Sequence, residues 1–175
     1  MANTQSMATS FMGELMVGGH QLGAATLVSR SSLTAPTVDT LKALLVIAAG
    51  TVNAAQTNVG TPGSSAPSTS NIGTDEVAGA GYSAGGVTVT NANAPTATNS
   101  SSTAGVAFWT PSASITYTNV TLTTAFDTMV LYNSTQSGKV ISVHTFGSQT
   151  VTAGTFTLTM PANSTAAALI RLATT

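Results

Sequence analysis

The chain has 175 residues and a mass of 17.3 kDa, which fits one domain, or one domain with an arm, and is too short for two ordinary enzyme lobes. Only 5% of the residues are charged and the net charge is −1, so the chain cannot neutralise a run of phosphates and we expect no nucleic-acid partner. The longest apolar run, residues 43–49, is too short to span a bilayer, and the lack of cysteine excludes disulfides and thiolate chemistry.

Residues 4–18 predict an amphipathic helix, followed by a pair of glycines that ends it. The apolar stripe of this helix contains Met7, Phe11, Leu15 and Met16. A helix of this length is marginal in water by itself, so its methionine-rich face needs a partner surface, in its own domain or on another chain. We therefore assign residues 1–36 to an N-terminal helix and arm, and we take these four side chains as candidate interface residues.

Residues 37–175 predict a β domain, which begins with an apolar run at residues 41–48. Periodicity alone does not decide between a buried strand and a buried helix for this run. Residues 50–75 are rich in Gly, Ser, Thr, Pro and Asn, and they predict a long surface loop that buries no apolar area. Loops of this length usually bind a partner or are mobile.

Beyond residue 76 the apolar residues recur with the period of two that is typical of β-strands. The predicted strands lie at residues 87–90, 105–109, 115–122, 128–132, 140–146, 155–160 and 167–172. The alternation changes phase at Asn119, which indicates a bulge, and residues 133–138 predict a hairpin turn. Phe156 lies on the apolar face of its strand and is a candidate core residue. The pattern predicts a mainly β fold, an antiparallel β-sandwich or jelly roll with a short N-terminal helical arm.

The sequence shows no catalytic or cofactor-binding motif. His20 and His144 lie in distant segments, and the five carboxylates are scattered along the chain. The adjacent pair Asp75 and Glu76 lacks a third carboxylate nearby, so we expect a solvated strand start there. Trp109 could stack on a sugar, but a lone tryptophan in a β-sandwich is more often a core anchor. We expect no enzyme activity, no cofactor and no metal site.

The segment from Glu76 to Gly86 reads Glu-Val-Ala-Gly-Ala-Gly-Tyr-Ser-Ala-Gly-Gly. Its structural motif residues are Glu76, Gly79, Gly81, Tyr82, Gly85 and Gly86, whose glycines allow the backbone to run tightly around the tyrosine. Matching segments follow one another at residues 1–7, 39–44, 107–110, 129–133, 143–147, 154–161 and 168–171. In this order they resemble a family of small virion structural proteins of tailed bacteriophages. The resemblance covers most of the chain except residues 21–35 and 50–72, and it favours a strand for the apolar run at 41–48.

The resemblance implies a component of the phage particle, and a surface with so few charges suits a subunit packed among neighbours. We expect a capsid decoration (cement) protein that binds the assembled shell and stabilises it. The expected partners are the major capsid protein and neighbouring copies of the chain, in a homo-oligomer for which a trimer is one arrangement, with no membrane partner. The N-terminus lacks the basic region of a secretory signal, so we expect synthesis in the host bacterial cytoplasm and a final location on the capsid exterior.

The alternative expectation is a phage tail fibre or adaptor module that recognises a host surface or another tail protein. Trp109 and the loop at residues 50–75 would then be the exposed binding elements. The two expectations differ in copy number, because a shell binds hundreds of decoration proteins and a tail holds a few dozen copies or fewer.

Overall fold

The computed structural model describes residues 2–16, 18–23, 37–98 and 105–173. In chain order its elements are β1 (Ser6–Met7), α1 (Thr9–Met16), β2 (Leu41–Ile47), a 3-10 turn (Gly73–Asp75), β3 (Val87–Thr88), β4 (Thr96–Thr98), β5 (Val106–Trp109), β6 (Ile115–Asn133), β7 (Lys139–Leu158) and β8 (Ile170–Ala173). Strands dominate and one short helix lies near the N-terminus, so the mainly β class is confirmed.

The strands form two antiparallel sheets. One has five strands in the order β1-β7-β6-β2-β3, and the other has three in the order β4-β5-β8. β2 lies between β6 and β3, and five of its seven residues are buried, which explains its nearly continuous apolar sequence. The strand predicted from the resemblance at 41–48 is therefore confirmed, whereas the jelly-roll connectivity stays a prediction.

A long hairpin of β6 and β7 forms the centre of the larger sheet. Several predicted short strands are parts of these two strands of 19 and 20 residues. The chain turns at residues 134–138, as predicted, where Gly138 has a positive φ of 82°. Asn119 has a φ of 54°, and the register shifts between Tyr117 and Val120, so the predicted bulge is confirmed. Such bulges bend a long ladder and increase its twist without ending it.

The N-terminal segment is part of the sheet, and the prediction of a helix over residues 4–18 is wrong in its first half. Ser6 and Met7 pair with β7, and the Ala8 N–H donates to the Ile141 carbonyl over 3.0 Å. The helix therefore begins only at Thr9, because the preceding backbone already has sheet partners. Residues 6–8 thus belong to the sheet that the later strands form, and the division into an arm and a domain at residue 36 stays a prediction, since residues 24–36 lie outside the described part of the chain.

The segment at residues 50–75 is irregular, as predicted, but it does contribute to the core. Val52, Val59 and Ile72 are each at most 3% exposed. The Ile72 N–H donates to the Val59 carbonyl over 2.9 Å, and the Gln56 side-chain amide donates to the carbonyls of Asn58 and Ser68 in the same loop. The expectation that this loop buries no apolar area is therefore wrong, because a few apolar residues among many polar ones are enough to anchor it.

Phe156 lies on the inner face of β7, as the alternation predicts, but it is only half-buried. Its ring contacts Phe126 edge-on, with centroids 5.0 Å apart, and it also contacts Phe146 at 5.6 Å and Tyr117 at 6.1 Å. Phe126 is fully buried. Phe156 therefore joins Tyr117, Phe126 and Phe146 in one aromatic cluster, in which its own ring stays partly exposed while that of Phe126 is fully buried.

Replacing these two phenylalanines should give unequal losses of stability. We expect Phe126→Ala to lower the free energy of unfolding by about 3–5 kcal/mol and Phe156→Ala by roughly half as much, since the second ring is already partly in water. Urea denaturation of both variants beside the parent chain measures the difference. Equal losses would show that Phe156, at the far end of the hairpin, is more completely buried than it is in the structure.

Candidate functional site

The four candidate interface residues have different environments. Phe11 is fully buried in the core of its own chain, so its assignment to an interface is wrong. Met7 and Leu15 are half-buried and pack against the same core. Met16 is 88% exposed and remains available to a partner. The burial of Phe11 follows from the early sheet pairing, which directs one side of α1 against β7.

An apolar groove lies between α1 and the smaller sheet, and we call it the α1 groove. Its volume is about 180 Å³, and it is lined by Phe11, Leu15, His20, Gln21, Leu22, Pro95, Ala107, Phe108, Trp109, Ile170 and Leu172. The exposed large hydrophobic residues among those described are Met12, Met16 and Leu172, at 47%, 88% and 40% exposure. The two methionines are one turn apart on α1, next to the groove-lining Leu15, and Leu172 is in the groove wall. This groove and its exposed neighbours are the candidate interaction surface.

A buried polar cluster fixes the end of α1 beside this groove. His20 Nε2 lies 2.6 Å from Glu14 Oε2, and Lys139 Nζ lies 2.9 Å from Glu14 Oε1. Partial burial opposes ionisation of Glu14, but its hydrogen bonds with His20 and Lys139 outweigh this and lower its pKa. The cluster ties the helix to the start of β7, so the α1 groove has a rigid wall.

Asn133 extends this cluster to the start of β2. Its Nδ2 lies 3.0 Å from His20 Nδ1 and donates to Asp39 Oδ2 over 2.6 Å, while its Oδ1 accepts from the Gln136 N–H. Because Nδ2 is the donor in both contacts, His20 Nδ1 is an acceptor and Nε2 carries the proton that Glu14 accepts. The sequence analysis missed this cluster, since its members are far apart in the chain and meet only at the hairpin turn.

The motif at residues 76–86 is held by a buried carboxyl group, so the expected solvated strand start at Glu76 is wrong. Glu76 Oε1 accepts from the Tyr82 hydroxyl over 2.9 Å and from the Gly85 N–H over 2.6 Å. The same hydroxyl accepts from the Leu45 N–H, which connects the loop to β2. Burial raises the pKa of Glu76, and the hydrogen bonds from Gly85 and Tyr82 offset this only in part. A buried carboxyl group therefore holds the motif against β2.

The glycines of the motif allow the backbone to approach two strands, a role that the sequence analysis did not anticipate. Gly81 has a φ of 77°, and a Cβ at this position would collide with the Asn119 carbonyl of β6. Gly86 has a φ of 70°, and a Cβ would collide with the Ala43 carbonyl of β2. Gly79 and Gly85 also lie close to these strands.

The side chains that could bind a sugar or act in catalysis instead make contacts within the fold. Trp109 is 1% exposed and donates from Nε1 to the Asn93 carbonyl over 2.9 Å, so it is a core anchor and not a stacking platform. Ser142 Oγ lies 2.8 Å from His144 Nε2, but no carboxylate orients this histidine among the described residues. Burial lowers the pKa of His144 to about 4, which makes it a weak base.

Comparison with family models, curated proteins and solved structures finds no match for this chain. Within the described residues, no helix has the length and apolar character needed to cross a membrane. The same residues contain no group of three or more side chains that could hold a metal ion. A functional assignment therefore depends on the geometry and chemistry of the surface.

The pH dependence of stability should report the buried carboxyl group of Glu76. The folded chain binds this proton more tightly than the unfolded chain, so the contribution to stability is complete below the ordinary pKa of 4.5 and is lost as the pH rises through the raised value. Glu76→Gln keeps an acceptor for Tyr82 and Gly85 and removes the titration. We expect its advantage over the parent chain, measured by urea denaturation, to grow from pH 4 to pH 7.

Asp75→Asn is the matched control, because it changes the neighbouring carboxylate, which is half-buried and accepts a hydrogen bond from the Thr51 N–H. A constant difference between the parent chain and Glu76→Gln over this pH range would contradict the buried, proton-binding state of Glu76.

Proposed function

We propose that this chain is a bacteriophage capsid decoration protein, which binds the assembled shell and stabilises it. The observation that supports this most is the candidate interaction surface: an apolar groove, with three exposed large hydrophobic residues, on a chain in which only 5% of residues are charged. Exposed apolar side chains with little charge around them favour association. The proposed partners are the major capsid protein and neighbouring copies of the chain, on the capsid exterior.

Mass action explains how such a protein stabilises a shell. A protein that binds the expanded lattice and not its precursor lowers the free energy of the former by RT ln(1 + [L]/Kd), which is about 2.7 kcal/mol per site at a concentration of 100 Kd. This contribution is repeated at each symmetry-related site. A rigid groove suits this role, because little conformational freedom is lost on binding.

The rigidity of the interaction surface comes from the polar cluster behind it. Glu14 contacts both His20 and Lys139, so the last turn of α1 is joined to the hairpin. Met16 follows this turn directly and is 88% exposed. The helix therefore presents its methionines from a fixed position, although it has only eight residues.

A tail fibre or adaptor module is the second candidate function. The exposed residues 63–70 of the long loop favour it, since they form an uncharged surface away from the α1 groove. The burial of Trp109 removes the aromatic platform that this function would have used. The copy number of the chain in purified particles distinguishes the two functions: hundreds favour decoration, and a few dozen or fewer favour the tail.

Polar replacements on the interaction surface should prevent incorporation without unfolding the chain. We test the double variant Met16→Gln and Leu172→Gln. Each substitution should change the free energy of unfolding by no more than about 0.5 kcal/mol, because both side chains are exposed. Its incorporation into phage particles should fall at least about tenfold, a change of about 1.4 kcal/mol in binding. The amount of chain per major capsid protein, measured on purified particles by gel densitometry, gives the result.

Thr155→Gln is the matched control, since Thr155 is also exposed but lies on the far part of the hairpin. Normal incorporation of the double variant would exclude the α1 groove as the contact. Failure to recover the parent chain with any phage particle would overturn the decoration function itself.

A further inference from the structure

The outer edge of β7, on the side away from β6, has backbone partners along its first part only. There the Val140 N–H donates to the Thr57 carbonyl, and the Ile141 carbonyl accepts from the Ala8 N–H. Along residues 154–159, no described residue forms a backbone hydrogen bond on this side of the strand. Because every second residue of an antiparallel strand directs its N–H and C=O away from its partner, this end of β7 is an open edge.

The open edge lacks the features that keep edge strands apart. Residues 146–160 contain no charged residue and no proline. The register shifts of the hairpin all lie nearer its turn than Tyr117, so the last three residues of β7 pair regularly with Ile115–Tyr117. Lysine, proline and bulges are the usual protection of such edges. An uncharged, regular edge therefore favours the addition of another strand.

The sequence of this edge is complementary to itself. It reads Thr155-Phe-Thr-Leu-Thr159, with the threonines exposed and Phe156 and Leu158 half-buried on the other face. When two copies of this segment run antiparallel about Thr157, this residue lies opposite its counterpart and Phe156 lies opposite Leu158 of the copy. Each threonine on the outer face then meets a threonine, a pair that stabilises antiparallel sheets, and no like charges meet.

The size of this contact suits copies that are already held side by side. Pairing of five residues covers a length of about 17 Å. Such a contact is smaller than the roughly 800 Å² per partner of a stable complex, so it is weak between free chains. Copies bound to neighbouring sites of one shell have a high effective concentration, which favours the same contact there.

We propose that two copies of the chain pair through residues 155–159 at the open edge of β7, antiparallel and with Thr157 on the two-fold axis. This inference rests on the proposed function and refines it, since it assigns the contact between copies to this edge and leaves the α1 groove to the major capsid protein. A two-fold contact uses the same surface on both copies, so the segment supplies both sides of the interface.

A single introduced cysteine tests the position of the axis, because the chain itself contains none. With oxidised glutathione as the oxidant, we expect Thr157→Cys to form a disulfide-linked dimer, since a residue on the axis lies about 4.5–5.5 Å from its counterpart between Cα atoms. Thr116→Cys is the matched control, because Thr116 is equally exposed and lies beside Thr157 on β6, away from the edge. Non-reducing gel electrophoresis should show dimer formation at least about tenfold faster for Thr157→Cys.

Charged replacements test the pairing without a covalent bond. In sedimentation equilibrium up to about 1 mM, we expect the parent chain to form a dimer with a Kd below about 1 mM. Thr157→Lys and Thr157→Glu should each remain monomeric, because like charges meet on the axis, whereas an equimolar mixture of the two should pair again. Thr116→Lys should pair like the parent chain. So should Thr155→Gln, since it adds no charge and the ladder is formed by backbone groups.

Two results would overturn the proposal: equal cross-linking of Thr157→Cys and Thr116→Cys, or a parent chain that is monomeric at about 1 mM. Urea denaturation should show that the variants at Thr157 stay folded, because this side chain is exposed.

The results also separate this inference from the decoration function. A chain that pairs through this edge and is never recovered with phage particles would support the inference and overturn the decoration function. Recovery of the parent chain with particles, together with failure of Thr157→Cys to cross-link, would overturn the inference and leave the decoration function standing.

Discussion

The antiparallel ladder between β6 and β7 supports the rest of the larger sheet and the helix packed against it. β1 pairs with one side of this hairpin and β2 with the other, and the motif at residues 76–86 packs against β6 through its glycines. The turn between the two strands also contributes Asn133 and Lys139 to the cluster that holds α1. A ladder of this length provides the backbone partners, so the short elements around it need few contacts of their own.

The few carboxylates of this sparsely charged chain all accept hydrogen bonds within the fold. Each of the five accepts hydrogen bonds from the backbone or from side chains of distant segments, and two of them, Glu14 and Glu76, hold an element in place. Each acidic side chain thus contributes to the internal hydrogen bonding of the fold. The remaining surface is formed largely by threonine, serine, asparagine and small residues.

The sequence alone determined the fold class, the places of most strands, the bulge at Asn119 and the close course of the glycine motif, because these depend on local alternation and on residues that permit a positive φ. Only the tertiary structure decided where α1 begins, that Phe11 is internal, and that Val52 and Val59 anchor the long loop. It also decided that Glu14, His20 and Asn133 meet. These features depend on pairing between segments far apart in the chain, and no local pattern encodes which distant backbone or side chain will satisfy a given residue.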